Sequence, residues 1–182
     1  MESESINVVL FDASMTGLAS SFHSGNNYLD RFLKSADALC DGIGKTYVFL
    51  STSTDGDTII GYYNIGVGYI EEISNNVRRR IGGSAHINCF ALDERYHGLL
   101  QDTTPDGIKI KLSDVLLYDC INRIRKIRST EIGFSFITLC STKEGENLYR
   151  RNDFEVLDED LSFSKSDGDK DCIPMYLPLD YE

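Results

Sequence analysis

The run Ala85 His86 Ile87 Asn88 Cys89 Phe90 Ala91 Leu92 Asp93 Glu94 Arg95 Tyr96 His97 Gly98 decides how this chain is read. Its first eight residues are apolar and alternating, the pattern of a β-strand buried on at least one face. A charged exit follows at Asp93, Glu94 and Arg95. Beyond a loop holding Pro105 and Gly107, Ser113 and Asp114 offer N-cap chemistry to a helix with apolar positions at Val115, Leu116, Leu117, Cys120, Ile121, Ile124 and Ile127. Strand, loop and helix form the central unit. In an α/β fold such a junction is where free backbone N–H groups and the helix dipole favour an anionic ligand.

The chain has 182 residues, of which 41% are hydrophobic, and this fits one domain over 1–182 with a real core. No apolar run reaches the ~20 residues of a membrane helix, and Met1 to Ser5 is acidic where a signal peptide would be basic, so a cytoplasmic protein is expected. Cys40, Cys89, Cys120, Cys140 and Cys172 are odd in number and widely spaced, which suits reduced thiols. The three histidines, His23, His86 and His97, form no metal-ligand pair with a cysteine or with each other, and no metal is expected. A net charge of −11 argues against bulk nucleic-acid or membrane adhesion. Between Arg78 and Arg128, however, ten Lys/Arg face six Asp/Glu, so the segment around the central unit is locally basic.

Outward from that unit, Ile6 to Phe11 reads as a first strand, with Asp12 or Ser14 capping a short helix through Leu18 to Phe22. A turn at Ser24 to Asn27 opens a second helix with Leu29, Phe32, Leu33, Ala36 and Leu39 in register, and Gly42 past its end. Thr46 to Ser53 and Thr58 to Ile70 are strands joined by Thr54 Asp55 Gly56 Asp57, whose Asp-Gly pair signals a hairpin. Arg78 Arg79 Arg80 read as an exposed loop before the central strand. Ile132 to Cys140 is a nearly continuous apolar run, expected to lie parallel to the central strand. Leu157 to Phe163 and Cys172 to Leu179 are expected to close a terminal hairpin around a turn at Ser166 to Asp169, with Pro174 and Pro178 limiting the last strand to an edge or interrupted role.

Phe90 Ala91 Leu92 with the turn after it resembles the fourth strand and pyrophosphate loop of the GNAT superfamily of N-acetyltransferases. That loop has the pattern Q/R-x-x-G-x-G/A. Here His97 stands at the Gln/Arg position and Leu100 and Asp102 at the glycines, and an insertion from Gln101 to Ile110 follows. Phe22 to Leu33 is similar to the phenylalanine-x-x-glycine entry of the branch that includes aminoacyl-tRNA-acetylating toxins, with His23 structural. Ile59 Ile60 Gly61 Tyr62 Tyr63 resembles that branch's third strand. Glu144 to Phe154 is similar to the A-x-x-F-Y-x-x-x-G-F motif, with Tyr149 on its tyrosine, Phe154 on its phenylalanine, Asn147 at the alanine and Asp153 at the glycine.

The resemblance implies a mixed α/β fold, a central sheet of about seven strands flanked by about four helices, and an acetyl-CoA-dependent N-acetyltransferase. Backbone N–H groups near Ala91 and Leu92 would polarise the thioester carbonyl, and His97, Gly98, Lys109, Lys111 and the Ser113–Asp114 helix start would take the CoA phosphates. Tyr149 would be the general acid, since a phenol of pKa ~10 can donate to a thiolate. For the base, Glu71, Glu72 and His86 stay open. The acceptor is an amine on a small molecule, a peptide or an aminoacyl-tRNA, and a homodimer is left open. Two other classes stand beside the enzyme: a degenerate acyl-CoA-binding or regulatory module, and a toxin governed by an antitoxin.

Overall fold

The computed structural model describes residues 5–54, 56–163 and 171–179. In chain order the elements are β1 (Ser5–Leu10), α1 (Thr16–Ala19), α2 (Asn27–Lys34), β2 (Lys45–Ser53), β3 (Gly56–Ser74), β4 (Val77–Leu92), β5 (Leu100–Thr103), β6 (Lys109–Lys111), α3 (Leu112–Thr130), β7 (Phe136–Ser141), α4 (Glu146–Arg150), β8 (Glu155–Val156), β9 (Leu161–Phe163) and β10 (Ile173–Pro178). Eight strands make one mixed sheet in the order β1-β2-β3-β4-β7-β10-β8, with β9 on β3, and β5 and β6 form a separate two-stranded ribbon. This is the expected mixed α/β architecture, with four α-helices among the described residues. By its internal contacts the chain divides into two compact units, Met1–Ile65 with Cys89–Asp119, and Gly66–Asn88 with Cys120–Glu182, so β3, β4 and α3 each give one part to each.

In the first unit β1, β2 and the first part of β3 pair antiparallel, with Val8↔Phe49 and Val48↔Tyr62 in register and a shift of one residue in the β2–β3 ladder between Phe49↔Gly61 and Leu50↔Ile59. The expected hairpin forms but closes at Ser53↔Gly56, so that Gly56 and Asp57 belong to the strand rather than to the connection, while Asp55 lies outside the described residues. Its core joins Phe11, Ala19, Phe22, Phe32, Leu33, Val48, Ile59, Tyr62, Cys89 and Ala91. Tyr62 sits between Phe22, edge-on at 5.5 Å, and Phe32, stacked at 6.1 Å, and its hydroxyl donates to the Leu29 carbonyl at 2.7 Å. A buried phenol thereby keeps a partner. Asn26 starts α2, its side chain accepting from the N–H groups of Tyr28 and Leu29. The helix stops at Lys34 rather than running past Leu39. Ser35 takes an extended conformation (φ −101, ψ 169) and its side chain accepts from Asp37 N–H, which starts a separate 3-10 turn over Ala36–Leu39.

In the second unit Ser84–Ile87 of β4 pair parallel with Phe136–Leu139 of β7, the pairing expected of the two apolar runs. β7 starts later than Ile132 because that residue, just past α3, closes the helix end: the N–H groups of Glu131 and Ile132 both donate to the Ile127 carbonyl. The three arginines are not a loop. β3 continues to Ser74 and β4 begins at Val77, with Asn75 and Asn76 at φ 50 and 63 between them. Two successive left-handed residues make the tight turn that joins twisted strands, and Asn is among the few residues that accept both positions. The terminal hairpin also fails. Leu161–Phe163 pairs with Ile70–Glu72 of β3, while β10 pairs with β7 and with Glu155–Val156. A turn in which Leu161 N–H donates to the Asp158 carbonyl redirects the chain between β8 and β9. The expected turn at Ser166 to Asp169 lies outside the described residues.

Candidate active site

In the first unit the end of β4 is anchored from three sides. Ala91 and Leu92 are buried, and the ladder continues one residue further as Asp93 N–H donates to the Ile60 carbonyl. Asp93, fully buried, accepts from Arg95 Nε at 2.7 Å, Arg95 Nη2 at 3.0 Å, Arg95 N–H and His23 N–H. Burial pushes its carboxyl up, but these donors outweigh burial and hold it below the usual carboxylate range. His23 is held in turn by Asp30: Nδ1 lies 2.6 Å from Oδ2, and Ser24 donates to Oδ1 through N–H and hydroxyl at 2.7 and 2.6 Å. The hydrogen bond to Asp30, then the charge of Glu94, raise the His23 pKa. This His23–Asp30–Asp93–Arg95 cluster fastens the helical entry loop to the strand end. Sequence reading took His23 as structural but missed Asp93 and Asp30; the signal available was an acid directly at the end of an apolar strand with Arg two residues on.

His97 bends back to the same strand end, its Nε2 2.9 Å from the Leu92 carbonyl. A carbonyl can only accept, so Nε2 carries the proton and Nδ1 is the nitrogen turned away. Gly98 has φ 72, and a Cβ built there meets nothing within 4 Å, which marks an open, left-handed turn. What the sequence suggests as an irregular insertion is the β5–β6 ribbon, paired from Leu100↔Lys111 to Thr103↔Lys109 around a turn at Thr104–Gly107. It carries Lys109 and Lys111 on exposed positions. α3 begins at Leu112, one residue before the expected caps. Asp114 accepts from Lys111 N–H at 2.9 Å, and Leu112 N–H donates to the Leu99 carbonyl at 2.9 Å. Two leading N–H groups of the helix are therefore already engaged, and Asp114 caps rather than leaving the start wholly to an anion. Val115, expected on the apolar face, is exposed, whereas Leu116 and Leu117 are buried.

In the second unit Tyr149 is 6% exposed on α4, with its ring edge-on to Phe154 at 5.7 Å. Asp153 stands where the resembled motif has glycine and adopts φ 67, the conformation glycine would supply. Phe154 N–H donates to the Tyr149 carbonyl and Asp153 N–H to that of Arg150, so α4 ends in a left-handed cap with its apolar pair, Tyr149 and Phe154, in contact. The departure from the motif thus leaves its backbone intact. Gly145 packs tightly against this helix: a Cβ would lie 3.2 Å from Ser141 Oγ and 3.4 Å from Tyr149 Cε2.

Of the base candidates, Glu72 is half-buried on β3 opposite Leu161 of β9. Glu71 accepts from Arg78 at 2.9 Å, and the Arg80 guanidinium lies over the Tyr69 ring at 5.3 Å. His86 is buried on β4, its Nδ1 2.9 Å from Thr138 Oγ1 and its ring 5.3 Å from that of Phe163. Burial alone pulls its pKa down to about 4. None of the five cysteines is in a disulfide; Cys89 and Cys120 are buried, Cys40 is exposed, and burial pushes the Cys89 thiol up to about 12. Among the described residues no group of three His, Cys, Asp or Glu is placed to hold a metal, and no helix is long and apolar enough to cross a membrane.

The sheet with its parallel β4–β7 pair, the strand–ribbon–helix segment and the Tyr149 helix define a class: this chain has the fold of the GNAT N-acetyltransferases. Its likeness is to particular proteins at low identity. The AtaTR structure bound with acetyl-CoA superposes with a TM-score of 0.70 at 12% identity, over 95% of this chain and 93% of that one. A tyrosine-to-phenylalanine mutant of KacT gives 0.67 at 15%, over 97% and 95%. The GNAT-family N-acetyltransferase YhbS from Escherichia coli, in complex with CoA, gives 0.56 at 14%, over 98% and 83%. No protein-family model and no curated protein matches the sequence.

Proposed function

We propose that residues 1–182 act as one cytoplasmic acetyl-CoA-dependent N-acetyltransferase domain that acetylates an amine by direct attack. The observation that carries this reading is the fold likeness, over nearly the whole chain, to proteins bound with acetyl-CoA or CoA. When bound, acetyl-CoA would supply an activated acetyl group as a thioester. The residues present fit a phosphate-bearing group: the Gly98 turn is open and left-handed, and Lys109 and Lys111 are exposed on the adjoining ribbon. The His97–Gly98 turn, these lysines and Ser113, with Asp114 capping the helix, would hold it, and the backbone at Ala91 and Leu92 would pair with the chain beyond the phosphates.

Tyr149 is assigned the general acid, giving its phenolic proton to the departing thiolate, and Glu72 the base, taking the proton of the acceptor ammonium directly or through water. That a tyrosine-to-phenylalanine mutant was made of both AtaT and KacT supports the choice of a tyrosine. AtaT is a toxin by description, and, as the resemblance to the aminoacyl-tRNA-acetylating toxin branch implies, an aminoacyl-tRNA amine is the acceptor class we favour, with an antitoxin as partner. The second reading, a degenerate acyl-CoA-binding or regulatory module without turnover, is favoured by one observation: Asp114 places a carboxylate at the helix start where a phosphate would otherwise be welcome. Isothermal titration with acetyl-CoA separates them. Saturable binding with acetyl transfer to aminoacyl-tRNA or an amine library supports the enzyme; saturable binding without transfer supports an acyl-CoA-binding module; no binding at millimolar ligand removes the enzyme and leaves only a regulatory module that does not bind acyl-CoA.

A further inference from the structure

Ser84, His86 and Thr138 form a buried polar row in the apolar interior of the second unit. Ser84 and His86 share a face of β4 by the two-residue period, and Thr138 is the register partner of His86 on β7. Thr138 Oγ1 lies 3.1 Å from Ser84 Oγ and 2.9 Å from His86 Nδ1. Ser84 is 3% exposed, Thr138 0% and His86 7%. On β3, Gly68 is the residue packed against them: a Cβ there would lie 3.1 Å from Ser84 Oγ and 3.6 Å from His86 Cβ. The absence of a side chain at Gly68 leaves the row its room.

Each hydroxyl has one proton to give and can accept twice, so three patterns are open: both neighbours donating to Thr138, which leaves the buried Thr138 proton without an acceptor in the row, and the row running in either direction. If His86 Nδ1–H donated to Thr138 and Thr138 to Ser84, the Ser84 proton would be buried without an acceptor among the described residues. If Ser84 donates to Thr138 and Thr138 to Nδ1, every hydroxyl proton is used, and the ring proton sits on Nε2. Nε2 makes no hydrogen bond within the described residues, and no buried side-chain nitrogen or oxygen there lacks one, so Nε2 lies at the open side of the row. We infer that Ser84 and Thr138 are positioning residues that fix His86 as a neutral Nε2–H donor to an uncharged oxygen of the substrate, a carbonyl or ester oxygen, and not as the general base. Low basicity from burial agrees, and no charged side chain contributes to it. A neutral imidazole that stays neutral can polarise an oxygen without giving up its proton. The identity of that oxygen rests on the acetyltransferase reading; the direction of the proton row does not.

The direction can be read by nitrogen-15 NMR of histidine-labelled protein, with the His86 ring assigned by its loss in His86→Gln. The expected spectrum has Nε2 protonated and Nδ1 a hydrogen-bonded acceptor, unchanged from pH 5.5 to 8.5, with Thr138→Val altering the Nδ1 shift and Thr138→Ser restoring it. A protonated Nδ1 with bare Nε2, or titration near neutral pH, overturns the inference. For the donor role, His86→Gln, whose amide N–H can stand in for Nε2–H, should keep transfer within about tenfold of wild type while His86→Ala loses about a hundredfold. Equal losses in the two variants overturn the donor role. If wild-type protein transfers no acetyl group, the acetyltransferase reading falls while the NMR result still decides the row.

Discussion

Gly61→Ala tests how closely β3, the end of β4 and the start of α3 are packed within the first unit. Gly61 lies opposite Phe49 in the β2–β3 ladder. A Cβ at this position would meet Leu116 Cδ2 at 2.8 Å, the Ala91 carbonyl oxygen at 3.0 Å and Leu92 Cδ1 at 3.2 Å. Both leucine methyls can rotate away, although Leu116 is fully buried and has little space to enter. The Ala91 oxygen is backbone and moves only if the strand end moves. Overpacking of this kind costs ~1–3 kcal/mol. At ~2 kcal/mol, and ~2–4 °C per kcal/mol for a domain of this size, the melting temperature should fall by roughly 4–8 °C. Because Ala91 and Leu92 are the proposed cofactor-binding backbone, acetyl-CoA should bind more weakly as well. Gly17→Ala is the control: it lies in α1 with nothing within 4 Å of a built Cβ, and Ala should leave the melting temperature unchanged or raise it. Calorimetric melting of the two variants with an acetyl-CoA titration gives both quantities. A Gly61→Ala protein that melts and binds like wild type would refute the packing argument.

Tyr149→Phe keeps the ring and its contact with Phe154, so stability and acetyl-CoA affinity should hold while turnover falls ~10²-fold; undiminished turnover would sink the general-acid assignment, and Tyr149→Ala should separately cost ~3–5 kcal/mol through its cavity. At Asp153, φ 67 predicts that Asp153→Gly leaves stability equal or up to ~1 kcal/mol higher, and that the β-branched Asp153→Val lowers it; chemical denaturation with the order reversed would contradict the left-handed cap. Replacing Arg78, Arg79 and Arg80 by Ala should weaken tRNA binding and flatten its dependence on salt, read by titration at several ionic strengths, whereas a small-amine acceptor would be turned over as before. Raised in the folded protein, the His23 pKa means that its stabilisation is complete below the unfolded value of ~6.5 and is lost as pH rises through the folded one; that of Asp30, lowered, is lost only as pH falls below ~4. The melting difference between wild type and His23→Gln should therefore be larger at pH 5.5 than at pH 8.5, and an equal difference would show that the pair carries no pH-dependent stability.

The sequence by itself determined the elements whose apolar period is long and uninterrupted. The Ile6 strand, the β2–β3 hairpin, the central strand, the α3 helix and the parallel run after it are all set by which side chains leave water, and each is present, although β4 begins already at Val77 and β7 only at Phe136. It also named Tyr149, but not why an aspartate can stand at the glycine position of that motif, since only the backbone angle at Asp153 says so. Where local chemistry competes with period, the sequence misled. Ser35 ended α2 early because its hydroxyl served the next turn, and the Asn75–Asn76 turn extended two strands through residues that composition marks as a solvated loop. Two groupings belong to tertiary structure alone. Asp93 meets His23, and Thr138 meets Ser84 and His86, across separations of 70, 54 and 52 residues. Proton direction in such a row depends on which hydroxyl has a second acceptor, and the sequence does not record that, because a hydrogen bond needs two groups brought within about 3 Å by a fold that neither of them specifies.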